Sequence, residues 1–439
     1  MDGFDLPPME RRLQGRYATL VKAHMHTAST TAAGPTAGLA DSKAFAATQG
    51  AWRFFNNPRV DLPTLIQPLQ EAGRRAGNGA RAAPLLVIHD WSKLSYHRHA
   101  SKEDTVELTH ERDVGYELAT ALLVSGSDGS PLAPMQFYLK TAAGMLGTDP
   151  QLCLDGLAHI DQIEPTMEAS RSWGLNNPLV HIIDREADSV AHYRRWDAAG
   201  HRFLVRGDDR RVRHEGRSML LSAVARRLFA DKSRIVDGGE VQYRGRPARN
   251  QVVETEVTLD RPGRRRKGSR QHSVPGEPLT LRLVVSRIID ARGRKLATWY
   301  LLTNVGEEEA DTKTIARWYY WRWRIESYFK LLKSQGQQIE HWQQETGPAI
   351  ARRLLVAAMA CVVVWELQQE QSEESRQLKD LLVRLSGRQM KRSRPHTDSA
   401  LLAGLFVLLP MLALIDEYEG DLTEITTLVQ QTLPFLDTG

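Results

Sequence analysis

The sequence predicts an α/β fold whose central sheet carries acidic side chains at the ends of two strands. Two short apolar runs, Pro84–Asp90 and Leu179–Asp184, each end in an aspartate, which is the pattern of a buried strand whose tip reaches the edge of a sheet. Two further apolar runs, Leu118–Ser125 and Pro134–Thr141, follow the first and are joined by a turn of Gly, Ser and Asp, so three successive strands predict an antiparallel meander. A late stretch without Gly or Pro, Trp318–Gln335, predicts a helix.

The composition is that of a globular protein. The chain has 439 residues, of which 41% are hydrophobic and 25% charged, so it is not a disordered chain and is long enough for about three domains. The net charge of +5 is a mild excess that permits a polyanionic partner. Cys153 and Cys361 lie in apolar sequence, so we expect buried thiols in a reducing compartment and no zinc site.

No segment predicts secretion or a membrane span. The N-terminal residues are acidic and contain no apolar core, unlike a secretory signal. The longest apolar runs, Leu354–Trp365 and Leu401–Ile415, are shorter than the ~18 residues that a spanning helix needs. We therefore expect a cytoplasmic protein in which both runs are packing helices.

The first 75 residues predict a small helical domain. Its basic first helix and the aromatic and Arg side chains of Ala47–Phe55 suit contact with DNA, but a packing domain of ordinary amphipathic helices accounts for them equally well. A loop rich in Thr, Ala and Gly is expected at Ala28–Leu39. The basic side chains of the first helix are Arg11, Arg12, Arg16 and Lys22.

Residues 208–296 predict a β-rich insertion. Strand-like runs at Val252–Leu259 and Leu279–Ile289 are separated by Pro and Gly. Two basic clusters, at Arg210–Arg217 and Arg264–Lys267, are either solvated loops or surfaces that the strands hold against a polyanion.

One face of the late helix carries a single carboxylate among basic groups. At about 100° per residue, five polar side chains fall within roughly 80° of arc, next to an apolar arc that can face a core. An amphipathic surface helix with Glu–Lys pairs explains this pattern, and so does a metal-binding carboxylate set among phosphate-binding cations. The helix alone favours the first interpretation, whereas the two acidic strand ends favour the second. The polar side chains are Tyr319, Arg322, Glu326, Lys330 and Lys333.

The order of the elements brings three distant carboxylates together. The predicted elements follow the order of a ribonuclease H-like core: three strands, a helix, a strand, a helix and a late helix. In such a core the tips of the first and fourth strands lie side by side. Asp90 and Asp184 are at those tips, and Glu326 is on a late helix that could cover the same edge. Such a set can hold two hard cations about 3.5–4 Å apart, the arrangement used for phosphodiester hydrolysis and transfer.

Four of these residues also carry a resemblance to a known family. Tyr319-x2-Arg322-x3-Glu326-x6-Lys333 resembles, without a gap, the Y-R-E-K signature of the IS-four family of bacterial insertion-sequence transposases. Three further segments are similar to the family over residues 9–365. They are Asp184–Asp188 at the second catalytic Asp, Leu86–Tyr96 at the first catalytic strand, and Gln49–Phe54 with Asn57 and Pro58 in the N-terminal DNA-binding region.

The resemblance implies a DDE triad of Asp90, Asp184 and Glu326 that holds Mg²⁺, with Mn²⁺ as a substitute. It implies a cut-and-paste transposase that binds the terminal inverted repeats of its element, cleaves through a DNA hairpin and joins the 3′ ends to target DNA. The active form would be a homodimer on double-stranded DNA in the bacterial cytoplasm, associated with the nucleoid and not with a membrane. The implied DNA contacts are Tyr319, Arg322, Lys330, Lys333, Arg206 and Trp299.

Two features of the sequence leave alternatives open. Trp299 is either a core residue of its strand or an aromatic group that stacks on a flipped base. Trp91 stands where the family often has a small hydroxyl residue directly after the first Asp, which leaves the local substrate contacts undefined. A non-catalytic DNA-binding protein and another metal-dependent nuclease, such as a resolvase, are the alternative functions. A glycosidase fits poorly because its carboxylate pair does not need the surrounding cations.

These inferences predict five segments along the chain. They are an N-terminal helical DNA-binding domain (1–75), the first part of a ribonuclease H-like catalytic core (76–207), the β-rich insertion (208–296), the second part of the core with the Glu helix (297–345) and a C-terminal helical domain for dimerisation (346–439).

Overall fold

The computed structural model describes residues 4–26, 41–79, 83–267, 270–390 and 396–417. The chain begins with three helices, which confirms the helical character predicted for this region. The loop predicted at Ala28–Leu39 lies outside the described residues. The helices are α1 (Arg11–His26), α2 (Asp41–Phe55) and α3 (Leu62–Gly79).

The first half of the sheet has the strand order that the sequence predicts. Strand β1 pairs antiparallel with β3 and parallel with β6, β3 pairs antiparallel with β4, and β6 pairs parallel with β7, so the first and fourth predicted strands are neighbours in a mixed sheet. The strands are β1 (Leu85–Ser95), β2 (Val106–Glu107), β3 (Val114–Ser125), β4 (Pro131–Thr141), β5 (Gly144–Gly147), β6 (Leu179–Ile183) and β7 (Arg202–Gly207), with helices α4 (His159–Ser170) and α5 (Val190–Ala198) between them.

The prediction that the first strand ends at Asp90 is wrong. Strand β1 continues to Ser95 because β3 pairs with it over its whole length. Its parallel pairing with β6, in contrast, stops at Ile88 opposite Ile182. Asp90 therefore lies just beyond the end of one neighbouring strand, and this opens the sheet beside it.

The insertion continues the same sheet. From β7 the strand order runs through β15, β14, β11 and β8 to β9, so the predicted β-rich character is confirmed and its strands extend the core sheet. The elements are β8 (Arg211–His214), β9 (Arg217–Leu220), α6 (Leu221–Ala230), β10 (Val236–Tyr243), β11 (Arg246–Leu259), β12 (Gly263–Lys267), β13 (Arg270–Val274), β14 (Leu279–Ile289) and β15 (Lys295–Thr303).

The late helix is interrupted, contrary to the prediction of one continuous helix to Gln335. Helix α7 (Thr312–Trp321) and helix α8 (Trp323–Leu332) meet at Arg322, whose backbone N–H bonds to the carbonyl of Tyr319, three residues back. This tighter turn replaces the α-helical bond four residues back. Lys333 lies past the helix end, with φ −88° and ψ −118°.

The C-terminal helices pack with the N-terminal ones on one face of the sheet. Helices α1, α3, α7, α8 and α9 share one hydrophobic cluster with β1, β3 and β4, while α4, α5 and α6 cover the other face. Helix α9 is long and apolar enough to cross a membrane, yet most of it is buried in this core, so it packs as predicted. The C-terminal helices are α9 (Gly347–Gln369), α10 (Glu373–Leu385) and α11 (Asp398–Glu417).

The two cysteines differ in exposure. Cys361 is buried in α9, as predicted, but Cys153 is exposed. The prediction for Cys153 is wrong because its apolar neighbours belong to a surface connection ahead of α4 and not to a core element.

Candidate active site

Parallel pairing sets the first two carboxylates side by side. The last residues paired between β1 and β6 are Ile88 and Ile182, and Asp90 and Asp184 each follow two residues later. Side chains two residues apart point to the same face of a strand, and Ile88 belongs to the cluster beneath α7 and α8. Asp90 therefore faces the helices that carry the Y-R-E-K residues.

Arg322 joins all three predicted catalytic carboxylates. Its Nη1 lies 3.2 Å from Asp90 Oδ2, and its Nη2 lies 2.6 Å from Glu326 Oε1 and 3.7 Å from Asp184 Oδ2. Only 6% of Arg322 is exposed. The structure thus brings together Asp90, Asp184 and Glu326 from two strands and a helix, as the sequence predicts.

Tyr319 and Arg206 contact the second carboxylate. The Tyr319 hydroxyl donates to Asp184 Oδ1 at 2.9 Å, and Arg206 Nη1 lies 3.8 Å from the same oxygen. Asp184 Oδ1 also accepts from the backbone N–H of Arg185. Both predicted DNA-contact residues are therefore within the site, and Tyr319 is almost fully buried.

Burial and charge act differently on the two aspartates. Burial raises the pKa of Asp90 to about 6, and the Arg322 guanidinium opposes this only in part. Burial also acts on Asp184, but there Arg322 and the N–H of Arg185 lower its pKa below the ordinary value. The carboxylates and Tyr319 raise the pKa of Arg322 despite its burial, so the guanidinium stays charged and Asp90 is the member of the pair that holds a proton most readily.

The remaining predicted DNA-contact residues lie at the rim of the carboxylate site or beneath it. Lys333 donates to the carbonyl of Lys93 and lies 3.4 Å from Glu340 Oε1. Lys330 is exposed, and no ion pair joins it to a described residue. Trp299 is 6% exposed and packs edge-on against Tyr319 at 5.5 Å between ring centroids, so in this arrangement it is a packing residue beneath the site.

Trp91 does not enter the carboxylate site. It follows Asp90 directly on β1 and therefore points to the opposite face of the sheet. There its ring stacks on His159 at 4.5 Å, and its Nε1 donates to Gln162. The larger residue after Asp90 thus leaves the space in front of the carboxylates unchanged.

A histidine bridge beside the site was missed by sequence reasoning. His159, at the start of α4, lies 2.9 Å from Glu117 Oε1 and 3.1 Å from Glu186 Oε2. These two carboxylates raise the pKa of His159. Glu186 is part of the motif at Asp184, which is a sequence signal for this region, but nothing in the sequence links it to a residue of α4.

Asp188, the last residue of the same motif, supports the site and does not enter it. Its side chain is 3% exposed. It accepts hydrogen bonds from the Tyr193 hydroxyl, the backbone N–H of Asp208 and Arg210 at 2.6–2.7 Å. These contacts tie the segment after Asp184 to α5 and to the start of the insertion.

We expect Asp188→Ala to lower the free energy of unfolding by about 2–3 kcal/mol, because it leaves a half-buried arginine and the buried hydroxyl of Tyr193 without their carboxylate acceptor. Urea denaturation followed by circular dichroism measures the change. Asp208→Ala is the matched control, since that side chain is 63% exposed and lies 3.4 Å from Arg185, and its effect should stay within about 0.5 kcal/mol. Equal losses for both variants would contradict this role of Asp188.

The donors at the site suit a hard divalent cation. All three are carboxylates, the ligands that Mg²⁺ and Mn²⁺ prefer. Within the described ranges, no three His, Cys, Asp or Glu side chains are arranged to hold a metal ion. The guanidinium of Arg322 lies between the carboxylate oxygens that would have to converge on a metal ion. The donor chemistry therefore fits a metal once that group has moved.

Residues 157–363 match the family model described as "Transposase DDE domain". This part of the chain is therefore similar to a transposase DDE domain. The matched segment contains Asp184 and Glu326, while Asp90 precedes it. The match supports a DDE transposase family and thus a role in transposition and DNA recombination.

A solved structure and the curated sequences add little to this similarity. The cryo-EM structure of a piggyBac transposase synaptic complex with hairpin DNA is similar over 93% of this chain and 73% of that chain, with 9% sequence identity and a TM-score of 0.38. That score is too low to define the fold or the activity. A search of curated protein sequences finds no significant match.

Proposed function

We propose that the protein is a cut-and-paste transposase of the IS-four type, encoded by a bacterial insertion sequence and acting in the cytoplasm at the nucleoid. The observation that carries the proposal is the convergence of Asp90, Asp184 and Glu326 on one guanidinium, at 2.6–3.7 Å. A binding protein without catalytic activity has no need to keep three carboxylates together in a half-buried site. Their mutual repulsion is costly unless a cation is part of their function.

Different side chains of the site would bind the metal ion and the DNA phosphate. Mg²⁺ or Mn²⁺ held by the three carboxylates would activate a water or a 3′-hydroxyl and stabilise the leaving oxygen. Arg322, Lys330 and Lys333 would bind phosphate oxygens at the cut, since cations form strong hydrogen bonds to phosphate. Tyr319 holds Asp184 in place through its hydroxyl, and Arg206 adds positive charge beside the same oxygen.

The N-terminal helices offer a surface for the end of the element. A groove of about 550 Å³ between α1 and α2 is lined by four arginines, and none of them forms an ion pair with a described residue. Gly50 makes room for one of them, because a Cβ at that position would lie 2.7 Å from the Arg16 guanidinium carbon. Free arginines lining a groove suit a phosphate backbone. They are Arg12, Arg16, Arg53 and Arg59.

The C-terminal region offers a surface for pairing two protomers. Helix α11 exposes Val407, Met411 and Leu412, each by 38–48%. A cluster of exposed apolar side chains on one helix is typical of an interface. This supports a homodimer that brings two DNA ends together.

The test uses the purified protein, Mg²⁺ and a labelled duplex carrying the element's own end, taken from the DNA that flanks the gene. We expect a denaturing gel to show a metal-dependent product of hairpin size. Nicks without a hairpin would overturn the hairpin route. Binding without cleavage in both Mg²⁺ and Mn²⁺ would overturn the catalytic proposal and leave a regulatory DNA-binding protein.

A further inference from the structure

Arg322 occupies the centre of the carboxylate site. Its two terminal nitrogens are shared among three acidic side chains that come from β1, from the end of β6 and from α8. An arginine in a structural ion pair usually presents two nitrogens to one carboxylate. Here the guanidinium is instead placed where one positive charge reaches all three acids.

The contacts stabilise the three carboxylates but leave the arginine side chain incompletely hydrogen-bonded among the described residues. The Nε of Arg322 is buried and has no hydrogen-bond partner among the described residues, which costs free energy. One positive charge faces three acidic groups. The guanidinium therefore only partly neutralises the site, and a divalent cation would neutralise it further.

Arg322 also lies at the interruption between two helices. It is the residue at which α7 ends and α8 begins, and its N–H makes the shorter bond to Tyr319. Lys330, one helical turn beyond Glu326, is exposed. A DNA phosphate bound at the site would give the guanidinium an alternative anionic partner.

We propose that Arg322 is a built-in counter-cation that competes with divalent metal for the three carboxylates until DNA phosphate draws it away. In the free protein the guanidinium keeps the acids apart from a metal. When DNA binds, the guanidinium exchanges carboxylate for phosphate and the metal takes its place. The inference deepens the proposed function, on which it rests, and it predicts that metal and DNA each strengthen the binding of the other, since such coupling is reciprocal.

The first test measures Mn²⁺ binding to the full-length, DNA-free protein by isothermal titration calorimetry, so no cleavage is needed. We expect Arg322→Gln to bind Mn²⁺ about tenfold more tightly than the wild type, a change worth about 1.4 kcal/mol. Arg317→Gln is the matched control: its side chain is exposed on α7 and forms no ion pair with a carboxylate of the triad, so removing it should change the affinity by less than about threefold. Equal or weaker Mn²⁺ binding by Arg322→Gln would overturn the proposal.

The second test keeps Arg322 and does not depend on the variant folding. Electron paramagnetic resonance of free Mn²⁺ gives the affinity of the wild-type protein with and without a short duplex end, after subtraction of binding to the duplex alone. We expect DNA to raise the affinity by about tenfold, within the usual range of coupling between sites. Unchanged affinity would overturn the coupling while leaving the cleavage reaction untouched. A protein that binds Mn²⁺ with DNA as expected but never cuts would instead overturn the proposed function.

Discussion

Glu326→Gln should abolish DNA cleavage while leaving binding of the element's end nearly unchanged. The substitution keeps the shape of a side chain whose Oε1 lies 2.6 Å from Arg322, but it removes one of the three charges that would hold the metal. We expect the cleavage rate to fall on the order of a thousandfold or more, because a misplaced or missing metal costs several kcal/mol of transition-state stabilisation. Denaturing gels give the rate, and fluorescence anisotropy gives the affinity for the duplex.

Glu186→Gln is the matched control for this experiment. Glu186 lies two residues beyond Asp184, is 69% exposed and contacts His159, but it makes no contact with Arg322. Its loss should change the cleavage rate by no more than about threefold, as is usual for an exposed side chain. Full cleavage by Glu326→Gln, or an equal loss in both variants, would contradict the assignment of the triad.

The sequence predicts the acidic edge of the sheet because the relevant pattern is local. An apolar run followed by Asp encodes both the buried strand and the polar residue at its end, so the position of Asp184 directly after β6 follows from a few residues. Asp90 shows the limit of this reasoning. Its strand continues to Ser95 because β3 pairs with it there. The local sequence does not indicate how far a neighbouring strand will pair.

The interruption of the late helix has a similar origin. No Gly or Pro lies between Trp318 and Gln335, so helix propensity favours a continuous helix. Arg322 is instead held in a buried position by carboxylates that lie far away in the chain, such as Asp90. Helical spacing places Arg322 beside Glu326, but the meeting of the guanidinium with both aspartates is a tertiary contact that the sequence does not contain.

The face of the sheet that Trp91 occupies could have been predicted from its position in the strand. Strand alternation alone places it on the face opposite to Asp90, where the structure has it stacked on His159. For Trp299 alternation is not enough, because the face of β15 that meets the site depends on how α7 lies across the sheet. Its contact with Tyr319 is set by that packing.

The arginines that line the groove between α1 and α2 are expected to contribute to DNA binding but not to metal binding. We expect the triple variant Arg12→Gln, Arg16→Gln and Arg53→Gln to bind the element's end on the order of a hundredfold more weakly near physiological salt. Each phosphate contact that is lost should also lower the slope of log affinity against log salt by about 0.9. Mn²⁺ binding to the DNA-free protein should not change, because none of these arginines contacts a carboxylate of the triad.

The control removes the same amount of charge from another surface. Arg376, Arg384 and Arg388 are exposed on α10 and just beyond it, so replacing all three with Gln keeps the net charge of the two variants equal. Anisotropy titrations over a range of salt concentrations compare them. If only the groove variant loses affinity and salt dependence, the groove holds the DNA backbone. If both lose equally, binding follows overall charge, and the basic strands of the insertion become the surface to test next.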